Sequence, residues 1–118
     1  MLHLSASCAF YLYSGFADMR SGFDSLSGLI RDKMDMNALS GSVFIFVNRR
    51  RTHIKLLLWE GDGFSIYYKR LEKGTFELPA PGGEGTGSVR IDVRKLQFIL
   101  QGVSLKKIAY RPRLGRTA

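Results

Sequence analysis

The spacing of apolar side chains changes along the chain, and each period predicts a different element. Phe10 to Tyr13 is a short aromatic run ended by Ser14-Gly15, the pattern of a brief strand. Met19, Phe23, Leu26, Ile30 and Met34 then recur at three- and four-residue steps, which places them on one face of a helix. Asp18 stands where its N-cap belongs, with a carboxylate able to accept the amide of Arg20 or Ser21. The helix is expected to fade near Asp35 to Asn37, before a Ser40-Gly41 turn. Val43 to Val47 is a continuous apolar run, suited to a strand buried on both faces.

Ile54 to Trp59 and Phe64 to Lys69 follow as β-prone runs, separated by the tight-turn sequence Glu60-Gly61-Asp62-Gly63. With Val43–Val47 they predict an antiparallel meander, with Phe44, Phe46, Leu56, Leu58 and Ile66 buried. Thr75 to Leu78 reads as a further short strand and Pro79 to Gly87 as a loop rich in glycine and proline. Val89 and Ile91 suggest another brief strand. Asp92 caps a second helix whose apolar face is Val93, Leu96, Ile99, Leu100 and Val103, with Gly102 as its stop. The fold class is therefore α+β: a small single domain over residues 1–105, an antiparallel meander preceded by a short strand, with two helices packed on one face of the sheet. Residues 106–118 form a basic tail.

Charge changes this picture. Lys and Arg number 18 against 10 Asp and Glu, a net charge of +8. Residues 1–48 carry three basic and four acidic side chains, while residues 49–118 carry fifteen basic and six acidic. A field of that asymmetry attracts polyanions. No apolar run approaches the ~18 residues that span a bilayer, and no amphipathic basic helix offers a Trp/Phe face for a membrane surface. The one cysteine, Cys8, cannot close a disulfide within its own chain. The segment Cys8 to Tyr13 is too short for a secretory core, so the expected location is the cytoplasm.

Catalytic patterns are missing. With two histidines, His3 and His53, and one cysteine, the usual zinc ligand sets cannot be built. There is no Gly-x-Ser-x-Gly elbow, and the glycines of 82–87 lack the strand, the lysine and the spacing of a phosphate loop. Asp18 and Asp24 read as helix-start residues, and Glu60 and Asp62 as turn residues, rather than as a magnesium-binding cluster. The sequence predicts no enzyme, no cofactor, no metal and no small-molecule substrate.

Basic residues instead gather in two clusters. Arg49-Arg50-Arg51 with His53 and Lys55 lies at a hairpin connector and the start of its return strand. Lys69-Arg70 with Lys73 follows the next strand. If Ile54 and Phe64 face inward, Lys55 and Lys69 join the outward set, beside Trp59, Tyr67 and the edge of Leu57. Cations interleaved with rings suit nucleic acid, with charge for phosphates and rings for stacking. Arg49, Arg50, Arg51, His53, Lys55, Lys69, Arg70 and Lys73 are accordingly the candidate DNA-binding residues. The same pattern also fits a solvated strand face with aromatics beneath a helix.

Several motifs, in order, resemble one known family. They are Asp18-Met19-Arg20-x-Gly22-Phe23-Asp24-x-Leu26 and Gly41-x-Val43-Phe44-x-Phe46, then Ile54-Lys55-Leu56-Leu57-x-Trp59-Glu60-Gly61-Asp62-Gly63-Phe64 after an arginine-rich turn. Tyr68-Lys69-Arg70-Leu71-Glu72-x-Gly74-x-Phe76 and Leu96-x-x-x-Leu100-x-Gly102 complete the set. Over residues 10–105 the chain is similar to the TnpB accessory proteins, second open reading frame products of IS66-type insertion sequences. These are distinct from the RNA-guided nucleases of similar name. Ala17 and Ser21 stand where Thr and Lys are often seen, which removes a basic group near the first helix. The resemblance implies an accessory role in transposition beside a separate transposase. Two readings follow. In one the protein binds DNA through the basic hairpin. In the other it is an adaptor that binds the transposase and meets DNA only through it.

Overall fold

The computed structural model describes residues 8–79 and 87–102. The expected tail (106–118), most of the Pro79–Gly87 loop, His3 and Val103 lie outside the described residues. Seven elements follow in chain order: β1 (Phe10–Tyr13), α1 (Phe23–Asp32), β2 (Val43–Val47), β3 (His53–Trp59), β4 (Phe64–Arg70), β5 (Ser88–Ile91) and α2 (Val93–Gln101). The five strands form one sheet in the order β4-β3-β2-β1-β5. The predicted meander is present, with Val43 opposite Leu58, Val47 opposite Ile54, and Trp59 opposite Phe64. The sheet is mixed rather than wholly antiparallel: β1 lies parallel to β2, with α1 in the connection between them. β5 closes on the far side of β1, antiparallel to it.

The helices do not share a face, which corrects the sequence expectation. Leu96 and Ile99 of α2 pack with Phe10, Leu12, Val43, Ile45, Ile54 and Leu56. Leu26 and Ile30 of α1 pack on the opposite side with Phe44, Phe46 and Leu57. The unbroken apolar run of β2 is the physical reason, since alternate side chains point to opposite faces and all five residues need cover. Phe44, Phe46 and Leu56 are fully buried as expected, while Leu58 and Ile66 are only half-buried.

Three local expectations also change. Asp18 does not cap α1. Its Oδ1 accepts the Arg20 amide at 2.8 Å, as foreseen, but in a turn ahead of the helix, which begins after Gly22 without a side-chain cap. Met19 therefore lies outside the helix, and Phe23 at its start is 48% exposed. Thr75–Leu78 is not a strand, although Phe76 within it is fully buried and its amide donates to the Arg51 carbonyl at 2.7 Å. The second helix matches its prediction. Asp92 accepts the Lys95 amide through its side chain, and Gly102 ends the helix with φ of 84°. One glycine is required by packing: a Cβ on Gly87 would lie 1.7 Å from the Lys33 carbonyl oxygen.

Candidate nucleic-acid interface

The β2–β3 connector is built around Asn48. Its Oδ1 accepts the amides of Thr52 at 2.9 Å and His53 at 3.0 Å, and its Nδ2 donates to Thr52 Oγ1 at 3.1 Å. Two backbone donors on one oxygen fix the orientation of the side-chain amide. The loop is then pulled tight enough that Arg51 takes a left-handed backbone with φ of 60°. Asparagine at a turn base does this because its short amide can replace backbone partners. The outcome is a hydrogen-bonded tip that carries Arg49, Arg50 and Arg51, each exposed. No acidic side chain pairs with any of the three among the described residues.

Neighbouring segments join this end of the sheet. The Ala17 amide donates to the Val47 carbonyl at 3.0 Å, bringing the chain after β1 alongside the tip. Phe16, 40% exposed, lies under the Arg49 guanidinium, 5.2 Å from carbon to ring centre. Sequence reasoning missed Phe16, because a single aromatic between two short elements carries no periodic signal. Arg70, at the end of β4, is directly opposite His53, and Lys73 follows in a segment tied to the tip by the Leu71-to-Thr52 and Phe76-to-Arg51 hydrogen bonds. Tyr13, Phe16, Arg51 and Leu78 help line a cavity of about 220 Å³ beside the tip.

Two predicted contributors are used elsewhere. Lys55 is buried, and its Nζ donates at 2.8 Å to the carbonyls of both Met19 and Ser21. The same ammonium lies 4.7 Å from the centre of the Tyr68 ring. Lys69 reaches the other side of the sheet, where its Nζ donates to the Leu100 carbonyl at 3.0 Å. Lys55 and Lys69 thus fall on opposite faces, not in one outward set. The strand register explains it: Lys55 opposes Tyr68 and Lys69 opposes Ile54, so the two lysines differ by one pleat. Leu57, expected at the exposed face, is fully buried under α1, and Trp59 is half-buried on that face with its ring 5.0 Å from that of Phe64. His53 is half-buried, with Nδ1 2.8 Å from Thr52 Oγ1, so it helps shape the turn.

Ion pairs temper the surrounding field. Arg20 pairs with Asp18 at 2.6 Å, and Arg70 with Glu72 at 2.7 Å. The side-chain and backbone hydrogen bonds from Arg20 hold the Asp18 carboxyl down at about 2. Among the described residues no group of three or more His, Cys, Asp or Glu comes together as a metal site would require. Nor is any described helix long and apolar enough to cross a membrane. Asp24 lies on α1 while Glu60 and Asp62 sit at the β3–β4 turn, where Glu60 accepts the Ser65 hydroxyl at 2.6 Å.

Comparison with known proteins places this arrangement in a family. The uncharacterized protein y4hO of Sinorhizobium fredii is 30% identical over 103 residues, covering 87% of each chain. A second protein of that organism, y4jC, is 22% identical over 95 residues, covering 80% of this chain and 79% of its own. No solved structure matches. The family described as IS66 Orf2 like protein matches residues 8–110, nearly the whole chain. With its order of motifs and its α+β fold, the chain belongs to the IS66 Orf2-like family of insertion-sequence accessory proteins.

Proposed function

We propose that this accessory protein binds DNA without sequence preference, using the arginine tip between β2 and β3 as its main phosphate contact. The observation that carries the reading is the tip itself: three adjacent exposed arginines on a turn fixed by Asn48, with no acid paired to them among the described residues. Adjacent like charges repel, and phosphate relieves that repulsion. Arg70 and Lys73 extend the surface, and Phe16 gives it a ring. Lys55 and Lys69 contribute to the fold instead. In this reading the protein positions DNA and leaves the chemistry to a separate transposase of the same element. It uses no cofactor and no small-molecule substrate.

The test is fluorescence anisotropy on element-end and random duplexes across a salt series. Phosphate contacts release counterions, so log affinity falls with log salt by about 0.9 per contact. Replacing Arg49, Arg50 and Arg51 by Ala is expected to weaken all duplexes alike and to flatten the slope by about 0.9 for each phosphate no longer held. A loss confined to element-end DNA means that the arginines read bases. Absence of duplex binding at low salt, together with co-purification of the transposase, overturns the DNA reading. It then supports the adaptor reading, which the exposed rings of Tyr67 and Tyr68 favour, at 38% and 51% exposure.

A further inference from the structure

The sheet has two edges, and they are treated differently. β5 is four residues long, whereas β4 has seven and pairs one-to-one with β3 along its whole length, with no bulge and no proline. Long straight edges invite pairing with another chain, and proteins usually guard them with charge, proline or a bulge. On β4 the basic residues are drawn away: Lys69 to the Leu100 carbonyl and Arg70 to Glu72. Three of the five large hydrophobic side chains exposed among the described residues lie along this edge instead. They are Tyr67, Tyr68 and Phe23, the last with its ring 6.4 Å from that of Phe64.

The register identifies which backbone groups face outward. The Glu60 amide donates to Gly63 and the Leu71 amide to Thr52, so Gly63 and Leu71 lie in hydrogen-bonded pairs with the β3 side. Alternation along an antiparallel ladder then gives Ser65, Tyr67 and Lys69 the inward groups. Phe64, Ile66, Tyr68 and Arg70 point their amides and carbonyls away from the sheet. These four are placed symmetrically about Tyr67, the middle residue of β4.

We infer that β4 pairs antiparallel with β4 of a second copy, with Tyr67 on the two-fold axis, joining two sheets into one. The symmetry of the outward-facing groups about Tyr67 selects a second copy and this register. Arg70 meets Phe64 of the other copy, Lys69 meets Ser65, and Tyr68 meets Ile66, so no like charges oppose each other. All four outward-facing residues find backbone partners. Sliding the axis to Lys69 would set Lys69 against Lys69, and sliding it to Ser65 would run the C-terminal half of β4 onto the β3–β4 turn. Arg49, Arg50 and Arg51 lie outside β4 and are not among the paired residues, so the arginine tip is tested apart from self-pairing; Arg70 is the residue that both surfaces share.

Site-specific cross-linking tests the register. Tyr67 faces its own copy in a non-hydrogen-bonded pair, where Cα atoms come within about 4.5 Å, inside disulfide range. In a Cys8→Ser background, Tyr67→Cys is expected to form an intermolecular disulfide under mild oxidation at least tenfold faster than Glu72→Cys, an exposed control beyond the strand. Sedimentation equilibrium gives the second measurement. Tyr67→Lys puts two ammonium groups together on the axis and is expected to weaken the dimer at least tenfold, while its circular dichroism stays native because Tyr67 is exposed. Each copy carries +8, so added salt should strengthen the dimer by screening repulsion. That is opposite in sign to its effect on DNA binding. A protein that stays monomeric at high salt, equal cross-linking of both cysteines, or a dimer indifferent to Tyr67→Lys overturns the proposal. So does a monomer that takes a strand of the transposase on this edge.

Discussion

Replacing Lys55 by Met separates the structural role of a buried cation from the phosphate-binding role its charge suggests. Met keeps most of the stem, so packing between Phe46 and Tyr68, its neighbours across the ladder, is retained. The substitution removes two charge-assisted hydrogen bonds of 2.8 Å to Met19 and Ser21, and the approach of the ammonium to the Tyr68 ring. Bonds of that kind contribute about 1.5–3 kcal/mol each where the freed partner stays dry. Met19 and Ser21 are both only half-buried, so their carbonyls regain water. Relief from burying an ammonium offsets part of the remainder. The net cost is expected to be about 1–3 kcal/mol, read as a lower urea midpoint at unchanged slope. DNA affinity and its salt slope, measured where the variant is folded, are expected to match the parent. A variant as stable as the parent whose salt slope flattens by about 0.9 would refute the reasoning, because it would mean that Lys55 faces phosphate.

Other perturbations probe the remaining elements. Leu56→Ala, at a fully buried site in the α2-side core, is expected to cost about 2–5 kcal/mol in chemical denaturation. Asn48→Ala strips two backbone amides of their acceptor and is expected to cost about 1–3 kcal/mol while weakening DNA binding, since the arginines lose their fixed turn. In an NMR titration the Asp18 carboxyl should titrate at about 2, and Arg20→Ala should move it back toward 3.8. Because the folded value is depressed, the stabilisation of this turn is present above pH 3.8 and is lost as pH falls through about 2.

Most strands and the second helix are legible from one dominant period, whereas the period from Met19 to Met34 runs past both ends of α1. The two runs Ile54–Trp59 and Phe64–Lys69 and the Asp92–Gly102 helix were found within a residue of their observed ends. The side of the sheet on which each helix packs was not legible from the helices, since an apolar stripe says that a face is covered but not by what. The all-apolar β2 held that information: a strand buried on both sides demands cover on both sides. At the candidate site, composition located the arginine tip, because three adjacent cations are visible in any register. The fate of Lys55 and Lys69 depends on carbonyls 36 and 31 residues distant in sequence, which no local pattern encodes. Phe16 was invisible for the same reason, its partner Arg49 being supplied by another element.

The position of β1 between β2 and β5 governs how the chain must assemble. β1 precedes the other described strands in synthesis, yet its second neighbour is the penultimate element of the described fold. Until β5 and α2 have been made, β1 offers a bare edge and the strands below α2 lack their cover. The meander β2–β4 can form early from local hairpins, whereas closure waits for contacts that are distant in sequence, the kind that slow folding. A nascent chain released near residue 79 would thus hold a hairpin sheet with one apolar side unprotected. A peptide bearing residues 87–102, supplied in trans, would be expected to complete it and restore a cooperative unfolding transition.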